Sequence, residues 1–107
     1  MSEAATRYRE HTVERALRGP GVSAGDARRA AYDNQGVAAP ARALIDKVAR
    51  TAWKVTDEDV AAAKAGGLAE DAIFELVVCA ALGQATRQLD AALAALDEAT
   101  ADSGGAR

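Results

Sequence analysis

The sequence predicts an all-α fold of about five helices, packed as a small orthogonal or bundled domain, and three observations carry that prediction. Helix-favouring residues dominate, with Ala alone contributing 29 of the 107 positions. Aromatic residues are 4% of the chain, and no apolar–polar alternation of the kind a half-buried strand needs is present. Finally, Ala72 to Leu96 (AIFELVVCAALGQATRQLDAALAAL) is apolar at helical spacing, and Glu75 is its only charge before Gly83. That stretch should be the central helix.

A chain of 107 residues is one domain with a limited core. The reading divides it into an N-terminal helical segment (1–39), a helical core (40–99) and a loose tail (100–107). Leu, Ile, Val and Phe together number only 19, so Ala-rich helices must approach closely, and homo-oligomerisation is an obvious way to bury more area.

The first helix is expected from about Glu3 to Arg18, with Ala5, Tyr8, Val13, Ala16 and Leu17 as its apolar stripe. Gly19-Pro20-Gly21 stops it, because Pro cannot continue the hydrogen bonding and the glycines permit turns. Ser23 is placed to cap a short second helix, Ala24 to Tyr32, whose weak apolar face is Ala27, Ala30, Ala31 and Tyr32; an irregular segment from Gly19 to Pro40 is the competing reading. Pro40 suits the first turn of a third helix, in which Leu44, Ile45, Val48, Ala49 and Ala52 recur with helical period. Asp46 and Arg50 form an i,i+4 pair on its outer side, and Trp53 extends the buried stripe as a core anchor. Thr56 and Asp59 approximate a capping box for a fourth helix, which ends at Gly66-Gly67, where Leu68 packs back. Glu70 and Asp71 open the fifth and longest helix, expected to end near Ala99.

Composition excludes several kinds of chemistry. A lone Cys79 permits no intrachain disulfide and no Cys-x-x-Cys, and a lone His11 rules out clustered Cys/His metal spacing. No glycine-rich phosphate loop, Walker motif or HExxH is present, so no cofactor or metal is implied. An N-terminus without an apolar core, and no apolar run approaching membrane length, point to a cytoplasmic protein with no membrane partner.

Charge is uneven: residues 1–54 sum to +4 and residues 55–107 to −7. Arg7, Arg9, Arg15, Arg18, Arg28 and Arg29 form either a basic face for an acidic protein or nucleic acid, or salt-bridged helix surfaces. The acidic overall balance favours the salt bridges and speaks against nucleic acid.

On the long helix Glu75, Cys79, Gly83, Thr86 and Asp90 share one small-polar stripe. Read as chemistry, Glu75 and Cys79 pair a base with a nucleophile one turn apart, and Arg87 with Gln84 holds an anionic ligand, the pocket being completed by a neighbouring subunit. Read as structure, Gly83 and Cys79 make room for close helix approach, Glu75 finds a cationic partner, and Arg87 ties a polar network with Gln84 and Asp90. The structural reading is favoured, since the sequence positions no His beside the thiol and burial alone makes a thiol less reactive.

The run VTDEDVAAAKAGGLAEDAIFELVVCAALGQATRQLDAAL resembles the C-terminal helices of the AhpD-like alkylhydroperoxidase and carboxymuconolactone decarboxylase superfamily. The matching positions are Val55-Thr56-Asp57, Asp59-Val60, Gly67-Leu68-Ala69 and Arg87, and with Arg42 to Asp46 upstream the likeness covers about residues 40–97. It implies an all-α, commonly homo-oligomeric protein. Members with peroxidase activity use a Cys-x-x-Cys helix with a nearby His, which this chain lacks, and Ala69 stands where the family usually has a capping Ser. The resemblance therefore carries over no catalytic residue. It implies a scaffold or accessory protein without a peroxidase centre.

Overall fold

A computed structural model describes residues 2–105. Among them are five α-helices and no strand: α1 (Glu3–Arg18), α2 (Gly25–Asp33), α3 (Ala39–Thr51), α4 (Asp57–Ala65) and α5 (Glu70–Gly105), with a 3₁₀ turn at Ala52–Lys54 between α3 and α4. The all-α expectation holds. Every other helix packs on α5, most extensively α2 and then α3. With 36 residues α5 is about 54 Å long at 1.5 Å per residue, and it sets the long axis of a molecule measuring 61 × 28 × 21 Å.

The core gathers where α2 and α3 meet the first half of α5. Ile45 and Ala80 are fully enclosed there, with Ala31, Ala41, Leu44, Leu76 and Cys79 around them and Leu17 closing the α1 side. Alanine at the contacts lets backbones approach closely, so the limited apolar volume is enough for one continuous cluster.

Local signals place α4 well. Thr56 and Asp59 form a complete capping box, and Lys47 of α3 reaches the same Asp59 carboxylate at 2.9 Å. Gly67 adopts φ +106°, a conformation favouring glycine, which lets the Leu68 N–H donate to Ala63 O and turns the Leu68 side chain onto the core. The expected Asp46–Arg50 pair is present at 2.8 Å.

Several expectations are corrected. Trp53 is 79% exposed rather than a core anchor: Thr51 leaves the helical conformation at φ −144°, the chain tightens into the 3₁₀ turn, and Val55 packs on the core instead. Ala52 is exposed for the same reason. On α1 only Val13, Ala16 and Leu17 pack inward, while Ala5 and Tyr8 lie exposed. Ala24, not Ser23, is the N-cap of α2, and the Ser23 hydroxyl points instead to α5, where it donates to Glu75. Arg28 is buried, not part of a basic surface. Helix α5 runs to Gly105, beyond the expected end at Ala99; the last two residues of the expected tail lie outside the described residues.

Candidate functional site

The stripe expected on α5 is a seam along which α1, α2 and their connecting loop are held. At its N-terminal end the Glu75 carboxylate accepts hydrogen bonds from the Val22 N–H (2.8 and 3.1 Å), the Ser23 N–H (2.8 Å) and the Ser23 hydroxyl. Gly21 makes this approach feasible, since a Cβ there would lie 2.7 Å from a Glu75 oxygen. The donors, the Ser23 hydroxyl first and then the two backbone N–H groups, bring the Glu75 pKa down to about 2. A carboxylate so engaged is a poor proton acceptor at neutral pH.

One turn along, Cys79 is 1% exposed and its thiol donates to Ala16 O at 3.5 Å. Burial pushes the thiol pKa up, against the smaller opposing pull of Arg28, so the group stays protonated and unreactive. Arg28 donates through Nη1 to Ala16 O (3.3 Å) and Gly19 O (2.8 Å) and through Nη2 to Ser23 O (3.2 Å). It thereby covers the carbonyl end of α1, where a cation is also favoured by the helix dipole. Its Nε is buried without a partner among the described residues.

Further on, Gly83 touches the Tyr32 backbone so closely that a Cβ would overlap the Tyr32 carbonyl. Arg87 donates to the same Tyr32 O at 2.7 Å and to Gln84 Oε1 at 3.2 Å. Asp90 pairs with Arg9 of α1 at 2.8 Å. Helix α2 thus lies parallel to α5, with Glu75 at the loop entering α2 and Arg87 at its exit. Parallel neighbours align their dipoles unfavourably, and a carboxylate at one end with a guanidinium at the other offsets that cost.

The structure therefore brings Glu75 and Cys79 onto one seam with Arg28, and Arg87 with Gln84 at its far end, each engaged by the chain's own backbone or side chains. Five surface cavities among the described residues are lined by other side chains, and Glu75, Cys79, Gln84 and Arg87 line none of these five. A cleft of about 490 Å³ instead lies between the α2 exit and α3, beside Asn34, Arg42 and Asp46, where the Asn34 amide donates to Asp46. His11 is exposed and lines a separate groove with Ala4, Arg7 and Tyr8. Among the described residues no His/Cys/Asp/Glu group is arranged to hold a metal ion, and no helix is long and apolar enough to cross a membrane.

The basic half is largely engaged within the chain: Arg9 pairs with Asp90, Arg18 with Glu14 and Arg29 with Asp33, and Arg28 is buried. Arg28 is the important residue that the composition-based reading misplaced. Its helical spacing held the signal, because Arg28 shares a face with Ala31, three residues on, which is fully buried.

The Glu75 anchor sets an acid response. Its folded-state pKa lies below the ordinary 4.5, so its stabilising effect is complete above about pH 4.5 and is lost as pH falls towards 2. The urea midpoint of the wild-type protein should fall through that window, and Glu75→Gln should flatten the fall while lowering the midpoint at pH 7. Asp59, lowered by Lys47 and then by the Thr56 N–H, leaves a residual slope of the same sign. Equal slopes in the two proteins would refute the anchor.

Compared with family models, curated proteins and solved structures, the chain matches none of them.

Proposed function

We propose that this chain is a non-peroxidase, AhpD-like helical protein that works as a homo-oligomeric scaffold or accessory subunit. One observation carries the reading: Glu75, Arg87 and Asp90 of α5 are spent on holding α1 and α2, while the opposite side of the same helix carries apolar residues into solvent. Phe74 is 68% and Leu96 60% exposed there, which suits a protein whose work is contact with other chains. The AhpD-like part rests on the sequence resemblance over residues 40–97, within which Val55 to Leu68 form a lead-in with the Thr56–Asp59 box at its start and the Gly67 turn at its end.

Light scattering at micromolar concentration tests the assembly, the expected mass being a multiple of 11.0 kDa. A monomer mass would overturn it. Peroxide turnover coupled to thioredoxin or dihydrolipoamide should stay at background, and substantial turnover would overturn the non-peroxidase part.

A further inference from the structure

Helix α5 is amphipathic in an inverted sense. At about 100° per residue, Val78, Leu82, Ala85, Leu89, Ala92 and Leu96 fall within about 40° of one line, and no charged residue shares that line between Phe74 and Leu96. Arg87 and Asp90 lie on the other side, against α2 and α1. The line is open: Ala85, Ala92 and Leu96 are exposed, and Val78, Leu82 and Leu89 only half-buried. A cleft of about 260 Å³ between α1 and α5, lined by Leu82, Ala85 and Leu89 together with Arg9, Thr12 and Val13 of α1, runs along it.

The spacing is that of a coiled-coil seam, in alternating steps of four and three residues. Leucine recurs every seven residues at 82, 89 and 96, and alanine every seven at 85, 92 and 99. We infer that this face pairs with the same face of a second copy, antiparallel about a two-fold axis; this deepens the oligomeric reading above and rests on it. A parallel pair would stack leucine on leucine and alanine on alanine in successive layers, demanding a wide and then a narrow helix separation. An antiparallel pair sets Leu82 over Ala92 and Ala85 over Leu89, with Val78 over Leu96, so no layer is leucine on leucine or alanine on alanine. It also opposes the two helix dipoles.

Between Phe74 and Leu96 the α5 line carries no charge, and Arg9 at its α1 edge is already paired with Asp90, so a second copy matches the face by symmetry and leaves no charge unpaired. From Val78 to Leu96 the contact covers about 27 Å of helix, five turns, at 1.5 Å per residue.

The test is light scattering of the wild type, Ala85→Glu, Leu89→Glu and, on the opposite side of α5, Ala91→Glu, with helicity followed by circular dichroism. The wild type and Ala91→Glu should be dimers at 10 µM or so, and a buried glutamate in Ala85→Glu or Leu89→Glu should weaken the dimer by at least about 100-fold, leaving helical monomers. A wild type that is oligomeric with every variant retaining its mass would overturn this interface and leave the scaffold reading standing; a monomeric wild type would overturn both. Should a glutamate variant lose helicity, a spin label on Ala101→Cys decides independently. Buried Cys79 stays unlabelled, and the antiparallel pair puts the labels about 40 Å apart, against less than about 20 Å for a parallel one. The short distance would overturn the proposal.

Discussion

Replacing Arg28 with methionine is expected to lower the melting temperature by roughly 12–24 °C, from a loss of about 3 kcal/mol at about 4–8 °C per kcal/mol. The guanidinium supplies donors to Ala16 O, Gly19 O and Ser23 O, and methionine fills a similar volume but leaves these carbonyls without them. Removing the partnerless Nε returns some of that cost, since a buried donor without an acceptor is itself unfavourable. Gly19 O and Ser23 O lose this donor and Ala16 O keeps only the Cys79 thiol, which outweighs the one donor relieved and decides the sign. Arg28→Lys keeps the charge but lacks the planar fork, so it should recover only part of the loss. Thermal melts followed by circular dichroism check both, and a methionine variant as stable as the wild type would refute the account. With domains of this size stable by only about 5–15 kcal/mol, the variant should also unfold at a much lower urea concentration.

Gly83→Ala should cost about 2 kcal/mol net, or roughly 8–16 °C, even though alanine is the better helix former by about 1 kcal/mol. The new methyl would meet the Tyr32 carbonyl, which is backbone and cannot rotate aside, so α2 must move off α5 and loosen the Arg87 bond to the same oxygen. Gly25→Ala is the matched control, because a Cβ there meets nothing. Equal melting temperatures for wild type and Gly83→Ala would show that the two helices do not approach as closely as described.

Much of the fold was legible because its signals act within a few residues. The Gly19-Pro20-Gly21 stop, Pro40 in the first turn of α3, the Thr56–Asp59 box and the Gly67 turn all depend on local backbone geometry, and all four lie where expected. Trp53 failed because periodicity assumes an unbroken helix, and the turn after Thr51 discards the phase that would have taken the indole inward. The Ser23 reading failed for a different reason: capping needs the Ser23 oxygen to accept an N–H of the first turn, but the helix starts one residue late and the hydroxyl is turned away to donate to Glu75, 52 residues on.

By itself the sequence determined the helical class, most helix boundaries and the central place of the stretch from Ala72 to Leu96, because propensity, capping and hydrophobic period are properties of neighbouring residues. Only the tertiary structure decided what the polar stripe on that helix meets. Glu75 could have faced a cavity, a ligand or another helix, and the spacing is the same in each case. The choice came from α2 lying parallel to α5, which gave the carboxylate a backbone loop at one end and Arg87 a carbonyl at the other, and turned the uncharged side of α5 outward.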